Sequence, residues 1–284
     1  GFGDALTIGY QDRPDIFARD IRRAPPLFAE VVEIDERVAE DGTVLTPLDE
    51  AAAAAAFAKA YAEGLRSVAI VLVHGWRHQA HEAKLADLAQ AAGFTQISVS
   101  HRTAPLIRLV ARGDTTLVDA YLSPVLRRYV QGLEASLDEA AAGGLLFMQS
   151  SGGLVAADRF GGKDALLSGP AGGIVGMART AQGAGFDRII GFDMGGTSTD
   201  VSLYAGSYDR RSDAVLAGVR VAVPMMRIDT VAAGGGSICH FDGGRLLVGP
   251  ASAGADPGPA CYRRGGPLTV TDCNMVLGKL QPDY

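Results

Sequence analysis

One segment constrains this chain more than any other. Ile189-Ile190-Gly191-Phe192-Asp193-Met194-Gly195-Gly196-Thr197-Ser198-Thr199-Asp200-Val201-Ser202-Leu203 runs from an apolar stretch through an acid and a glycine pair, then through hydroxyls into a second apolar stretch. Two apolar runs around a short Gly-rich turn predict a β-hairpin. Glycines in the turn let backbone N–H groups approach an anion with no β-carbon in the way. Thr197, Ser198 and Thr199 add hydroxyl donors. Asp193 ends the first strand, where it can hold a hydrated Mg²⁺ or orient a water, because hard cations prefer carboxylate and water oxygens. Met194 is expected to point away from the ligand, and Asp200 to anchor the hairpin. The segment therefore reads as a phosphate-binding hairpin. Asp193 is its catalytic and metal-holding residue, and Gly195, Gly196, Thr197, Ser198 and Thr199 contact phosphate. It is not a Walker loop, since no Gly-Lys-Ser/Thr occurs in the chain. It is not a dinucleotide fingerprint, since a strand rather than a helix follows the glycines.

Glycine is abundant throughout this part of the chain. It supplies 37 of 284 residues, roughly twice its usual share of about 7%. No Gly-X-Y period exists, so the excess is not collagenous. Of the 37, 27 lie in residues 143–266 and nine before residue 143. Gly234-Gly235-Gly236 belongs to this excess. By the same backbone argument it forms either a second anion contact or a tight turn between strands.

The balance of 26 basic against 32 acidic residues leaves a net charge of −6 with no basic stripe, which argues against a nucleic-acid surface. No run of 18 apolar residues exists, so no membrane span is expected. Cys239, Cys261 and Cys273 have neither zinc spacing nor a disulfide framework, and read as reduced thiols of a cytoplasmic protein. His74, His78, His81 and Glu82 cluster after a strand, a spacing that suits either a metal site or a surface role.

Hydrophobic periodicity predicts a strand over 30–34 and a helix capped by Thr46 with Pro47 in its first turn, ending at Gly64. A continuous apolar strand over 67–73, a helix over 79–92 and a strand over 96–100 follow. This alternation predicts an α/β layer with parallel pairing. A long helix over 115–139 is expected to bury Leu117, Tyr121, Val125, Tyr129, Leu133 and Leu137. A soft domain boundary is placed near Gly113. Beyond it come a strand over 145–148, a helix over 170–182, and strands over 188–193 and 201–204. Asp256-Pro257-Gly258-Pro259 has strong turn chemistry and reads either as a rigid turn or, through Asp256, as a substrate or metal contact; Asp272 with Asn274 reads either as a helix cap or as acting on substrate.

The hairpin resembles the phosphate loops of the actin, sugar kinase and heat-shock chaperone ATPase (ribonuclease H-like) fold. Ser168-Gly169-Pro170-Ala171-Gly172-Gly173 resembles the small-residue helix start that precedes the second phosphate loop there. More narrowly, the chain is similar to the hydantoinase/oxoprolinase A-type subunit family. The similarity is carried by the residue 9–15 segment Gly-Tyr-Gln-Asp-Arg-Pro-Asp, by Thr115 to Leu122 with Asp119 where Asn is usual, and by Gln149-Ser150-Ser151-Gly152-Gly153 with Ser151 replacing Asn. It is carried also by Gly234-Gly235-Gly236-Ser237, by Gly254-Ala255-Asp256-Pro257-Gly258-Pro259, and by Thr271-Asp272-Cys273-Asn274, where the family has Thr-Asp-Ala-Asn.

The resemblance implies a partial ATPase-like α/β fold. Residues 1–112 would be the remainder of an N-terminal lobe and residues 113–284 a hydantoinase A-type ATPase lobe. It implies an ATP- and Mg²⁺-dependent hydrolase of cyclic amides, of the hydantoin or 5-oxoproline type, that activates the substrate oxygen by phosphorylation. The alternatives are a ketone carboxylase subunit and a non-catalytic nucleotide switch. It also implies a small-molecule substrate, a B-type partner subunit and an oligomeric assembly. The family's first phosphate loop is absent from these residues, so the chain alone is expected to bind nucleotide weakly and not turn over.

Overall fold

The computed structural model describes residues 2–10, 16–20, 25–138, 141 and 143–281. Residues 11–15 of the first family-like motif lie outside the described residues. In chain order the first elements are α1 (Ala5–Ile8), β1 (Arg37–Val38), β2 (Val44–Thr46), α2 (Glu50–Ala62), β3 (Ser67–Ile70), α3 (Ala80–Ala91), β4 (Gln96–Val99), α4 (Ser100–Thr103) and α5 (Leu109–Ala135). Next come β5 (Leu146–Met148), β6 (Leu154–Ala156), α6 (Ser168–Gly183), β7 (Arg188–Met194), β8 (Thr199–Ala205) and β9 (Arg210–Arg211). The remainder is β10 (Ala214–Leu216), β11 (Val219–Val221), β12 (Met225–Met226), β13 (Asp229–Val231), β14 (Ser237–Phe241), β15 (Leu246–Ser252) and α7 (Val270–Val276).

The chain divides into two compact units. One comprises residues 1–168 and 211–225, the other residues 169–210 and 226–284. The boundary placed near Gly113 falls inside α5.

In the first unit β3 pairs with β4 in parallel, with Ser67 opposite Gln96 and Ile70 opposite Val99. Ala53 of α2, Leu85 and Ala86 of α3, Ile70 and Val99 form its core, with Phe57, Leu72 and Ile97 packed around them. Gly64 and Gly93 end their helices at φ +94° and +100°, where a side chain would be strained. The cap of α2 is Asp49, not Thr46: its carboxylate accepts from the Ala52 amide at 2.9 Å, while Thr46 is spent in β2. The 30–34 run forms no strand; Ile34 packs on the core without a ladder partner.

The expectation for α5 is reversed. Tyr121, Val125 and Tyr129 are 55%, 59% and 64% exposed, and the buried face is Ala111, Thr115, Val118, Asp119 and Ser123. The reason is proximity. Ser67 Oγ donates to the Ala120 carbonyl at 2.5 Å, and a Cβ on Gly162 would stand 2.8 Å from Leu122 Cβ. Only small or hydrogen-bonding side chains fit so close an approach. Asp119 is one of these: it accepts from Ser98 Oγ at 2.6 Å and from the Lys163 amide at 3.1 Å.

In the second unit β13, β8 and β7 form an antiparallel sheet in that order. Helix α6 covers one face, burying Ala171, Ile174 and Ala178. Gly191 makes this close packing possible, since a Cβ there would overlap Met177 Sδ and Ser202 Oγ.

Candidate functional site

The hairpin register follows from strand alternation. Asp193 lies opposite Asp200 and Met194 opposite Thr199, leaving Gly195 to Ser198 as the turn. The Gly195 amide closes it by donating to the Ser198 carbonyl at 2.9 Å. Side chains alternate across a strand, so Gly191, Asp193, Asp200 and Ser202 share the face beneath α6. There they line a cleft of about 230 Å³ with Pro170 and Gly173. A Cβ on Gly173 would lie 3.8 Å from Asp193 Oδ2, at ordinary contact distance, so this turn of α6 passes close to that carboxylate.

Two carboxylates opposite one another repel. Asp200 is steadied by the Thr230 hydroxyl, which donates to its Oδ1 at 2.7 Å. Among the described residues, no Lys, Arg or His pairs with either acid. An oxygen-lined, uncompensated negative site suits a hard divalent cation. Asp200 is thus a functional candidate that the sequence reading gave only an anchoring role. Counting outward from the turn would have paired it with Asp193.

The sequence-predicted phosphate contacts separate into two groups. Among the described residues, no hydrogen bond engages the amides of Gly196, Thr197 and Ser198 or the hydroxyls of Thr197 and Ser198. Thr199 differs. It is buried, and its hydroxyl donates to the Ala233 carbonyl at 2.6 Å, so it holds the hairpin base rather than offering a donor to a ligand.

The glycine triplet is likewise committed internally. Gly235 donates to the Gly195 carbonyl at 2.9 Å and Gly236 to the Gly196 carbonyl at 2.6 Å. Gly234 donates to Ser237 Oγ at 2.9 Å. The three amides that could have met an anion therefore meet the hairpin and its own turn. A Cβ on Gly234 would stand 2.7 Å from the backbone of Gly196 and Thr197. The triplet is glycine because two backbones touch. Thr271 extends the brace, its amide and hydroxyl both donating to the Gly235 carbonyl at 2.8 and 2.9 Å. The sequence marked Thr271 only as part of a family-like motif; its bracing role rests on Gly235, 36 residues away.

Behind the brace, Asp272 is buried and caps α7 in a capping box with Thr269. Burial alone would raise its pKa. Hydrogen bonds from the Cys261 thiol and amide and from Thr269 overcome this and hold it at about 2. Asp114, in the first unit, is the opposite case: burial without a compensating donor pushes it up to about 6.

The histidines do not form a metal site. His74 Nδ1 donates to the Val38 carbonyl and His78 Nε2 to the Glu40 carbonyl, both at 2.8 Å, while His81 Nδ1 meets Glu36 Oε2 at 2.7 Å. They fasten the β1–β2 hairpin. Glu82 turns inward instead, accepting from Ser100 Oγ at 2.6 Å and meeting His101 Nδ1 at 2.7 Å. Among the described residues, no cluster of His, Cys, Asp or Glu could hold a metal with three or more ligands. Residues 149–153 turn β5 into β6, with the Gln149 amide donating to the Gly153 carbonyl at 2.8 Å.

The family model for hydantoinase/oxoprolinase matches residues 112–284, and that for the hydantoinase/oxoprolinase N-terminal region matches residues 1–93. The chain belongs to the hydantoinase/oxoprolinase family. It is 43% identical to 5-oxoprolinase 1 of Arabidopsis thaliana over 305 residues, an alignment covering 100% of this chain and 24% of that protein. It spans about a quarter of the length of such relatives. The crystal structure of ATP-dependent caprolactamase from Pseudomonas jessenii superposes with a TM-score of 0.76 at 37% identity, covering 99% of this chain and 42% of that one. Nucleotide-free acetone carboxylase superposes with a TM-score of 0.73 at 26% identity, over the same 99% and 42%. The fold of this hydantoinase/oxoprolinase chain is accordingly mixed α/β of the actin-like ATPase kind. No helix among the described residues is long and apolar enough to cross a membrane.

Proposed function

We propose that this chain supplies one phosphate-binding lobe of an ATP-dependent enzyme that opens cyclic amides. The observation that carries the reading is the Gly195–Ser198 turn. Among the described residues its amides at Gly196, Thr197 and Ser198 and the hydroxyls of Thr197 and Ser198 make no hydrogen bond, which leaves them available to an anion. Donors held in place before an anion arrives stabilise the charge of a transferring phosphoryl group without reorganisation. Bound MgATP would supply the phosphoryl group that activates the lactam oxygen.

Within the chain, Gly196, Thr197 and Ser198 hold phosphate, Gly195 closes the turn through its bond to the Ser198 carbonyl, and Asp193 with Asp200 holds Mg²⁺. Thr199 and the Gly234–Gly236 triplet keep the turn in shape. The substrate is a small lactam, in keeping with relatives named 5-oxoprolinase and caprolactamase. A relative named as an alpha subunit favours work in a larger assembly with a B-type partner. The likeness to acetone carboxylase supports ketone carboxylation as a second reading, at lower identity than the lactam relatives.

Substrate-stimulated ADP release by the complete enzyme carrying this chain tests the proposal. Stimulation by 5-oxoproline or caprolactam is the expected result. Stimulation by acetone alone favours the carboxylase, and stimulation by none of the three refutes both readings.

A further inference from the structure

One buried polar cluster of the first unit serves neither its apolar core nor the β1–β2 hairpin. Glu82 of α3 is fully buried, and its carboxylate collects four donors. Its Oε1 accepts from the Leu72 amide at 2.8 Å and from Ser100 Oγ at 2.6 Å. Its Oε2 accepts from the His101 amide at 3.1 Å and from His101 Nδ1 at 2.7 Å. Arg112 of α5, also fully buried, donates through Nε to Ser100 Oγ at 2.9 Å and spends its other nitrogens on the Leu72, Val73 and Leu106 carbonyls. Its positive charge lets a carboxylate sit in the interior. Gly75 belongs to the same arrangement, since a Cβ there would overlap Glu82 Oε1.

The cluster fixes one imidazole. The His101 side chain is only 5% exposed. With Nδ1 donating to the carboxylate, the neutral ring keeps its lone pair on Nε2. Among the described residues no hydrogen bond engages that atom. Nor is it sealed, because the buried side-chain nitrogens without a partner belong there to Trp76, Arg211 and Arg220. Ser100 and His101 follow directly on β4, and Leu72 comes just after β3, its parallel neighbour. Carboxyl ends of parallel strands are where α/β sheets bind their ligands. His81 also meets a carboxylate, that of Glu36, but this acid makes no second hydrogen bond among the described residues and holds its ring less firmly.

We propose that His101 is a general base that takes the N–H proton of a cyclic amide through Nε2, with Glu82 as its positioning residue. The proposal rests on the cyclic-amide reading. The N–H bond breaks as the carbonyl oxygen takes the phosphoryl group. Its proton goes to Nε2, and its electron pair forms a C=N bond. The former carbonyl π pair makes the new O–P bond, and ADP leaves with the pair of the P–O bond that breaks. Glu82 then faces an imidazolium and stabilises it, as a buried carboxylate does behind a catalytic histidine.

The complete enzyme carrying this chain tests the assignment. His101→Ala should lower kcat for 5-oxoproline or caprolactam by about 100-fold or more, with the KM for ATP unchanged. Added imidazole should restore part of that turnover. Glu82→Gln keeps the imidazole but loosens the hold on its Nδ1 proton, so kcat should fall and added imidazole should not restore it. A purely structural role would give neither the rescue nor the contrast between the two variants. Should His101→Ala fail to fold, the unaltered chain still decides. Its histidine nitrogen NMR spectrum at mildly alkaline pH should show His101 protonated at Nδ1 and bare at Nε2. A proton on Nε2 overturns the proposal. So does an undiminished kcat in His101→Ala, or a loss that appears in His81→Ala instead. These three outcomes leave the cyclic-amide reading standing. Failure of the unaltered enzyme to turn over either lactam overturns that reading and this proposal with it.

Discussion

Two glycine-rich turns meet in the second unit, and they use glycine in opposite ways. In the turn at Gly195 and Gly196 the amides of Gly196, Thr197 and Ser198 stay unengaged, and only that of Gly195 is spent, on the Ser198 carbonyl. In the triplet at Gly234 to Gly236 the absent side chains let one backbone lie on another, and every amide is consumed. A Cβ on Gly196 would meet nothing within 4 Å, whereas one on Gly234 would stand 2.7 Å from backbone atoms that cannot rotate away. Identical composition therefore leaves donors open in one loop and gives support in the other. What separates them is whether the second backbone is there.

The sharpest way to break this contrast is at the foot of the open turn. Asp193→Asn should lower MgATP-dependent turnover of the complete enzyme by about 100-fold or more while leaving its melting temperature unchanged. Equal loss of stability would make Asp193 a structural residue. Gly234→Ala should act the other way. Its overpacking should cost about 3 kcal/mol in denaturant unfolding. Gly196→Ala should be nearly silent in unfolding, within about 0.5 kcal/mol. It should still weaken nucleotide binding by roughly tenfold in titration calorimetry, about 1.4 kcal/mol, because its methyl stands where the anion would approach. If Gly196→Ala destabilised the fold as much as Gly234→Ala, the two turns would not differ in kind.

The same contrast, engaged against unengaged, recurs in two carboxylates and gives the smallest expected effects. Asp272 is ionised in the fold well below its ordinary range, at about 2. Its contribution to stability is fully present above about pH 4 and is lost as the pH falls through 2. Asp114 is raised to about 6, so its ionised form is penalised in the folded chain. That penalty is complete above pH 6, shrinks as the pH falls below 6, and is gone below the ordinary carboxylate range near 4. Asp114→Asn should therefore stabilise the chain at pH 7.5 by roughly 1 kcal/mol, allowing for partial solvent contact, and by almost nothing at pH 4. A pH-independent effect would separate Asp114 from this account.

Much of the site was legible because it is local. The hairpin from Ile189 to Leu203, its strands and its turn are set by alternation and glycine placement within fifteen residues. The helix ends at Gly64 and Gly93 were legible for the same reason. The α5 stripe was not. A repeat of large apolar residues marks a buried face only if no closer neighbour claims another face, and β3, β4 and the loop at Gly162 claim the one lined by Ala111, Thr115 and Ser123. The histidines misled in a similar way. Their spacing brought them near one another, but each imidazole found a nearer acceptor in residues 36–40.

By itself the sequence determined most of the elements, the family and the shape of the Gly195–Ser198 turn, since each rests on short-range stereochemistry or on a run of matching residues. Only the tertiary structure decided which glycines stay open and which face another backbone. It alone set Thr271 against the Gly235 carbonyl and the Cys261 amide against the Asp272 carboxylate. Those outcomes depend on which segments touch, and contact between distant segments is settled by packing and hydrogen-bond satisfaction rather than by any local pattern.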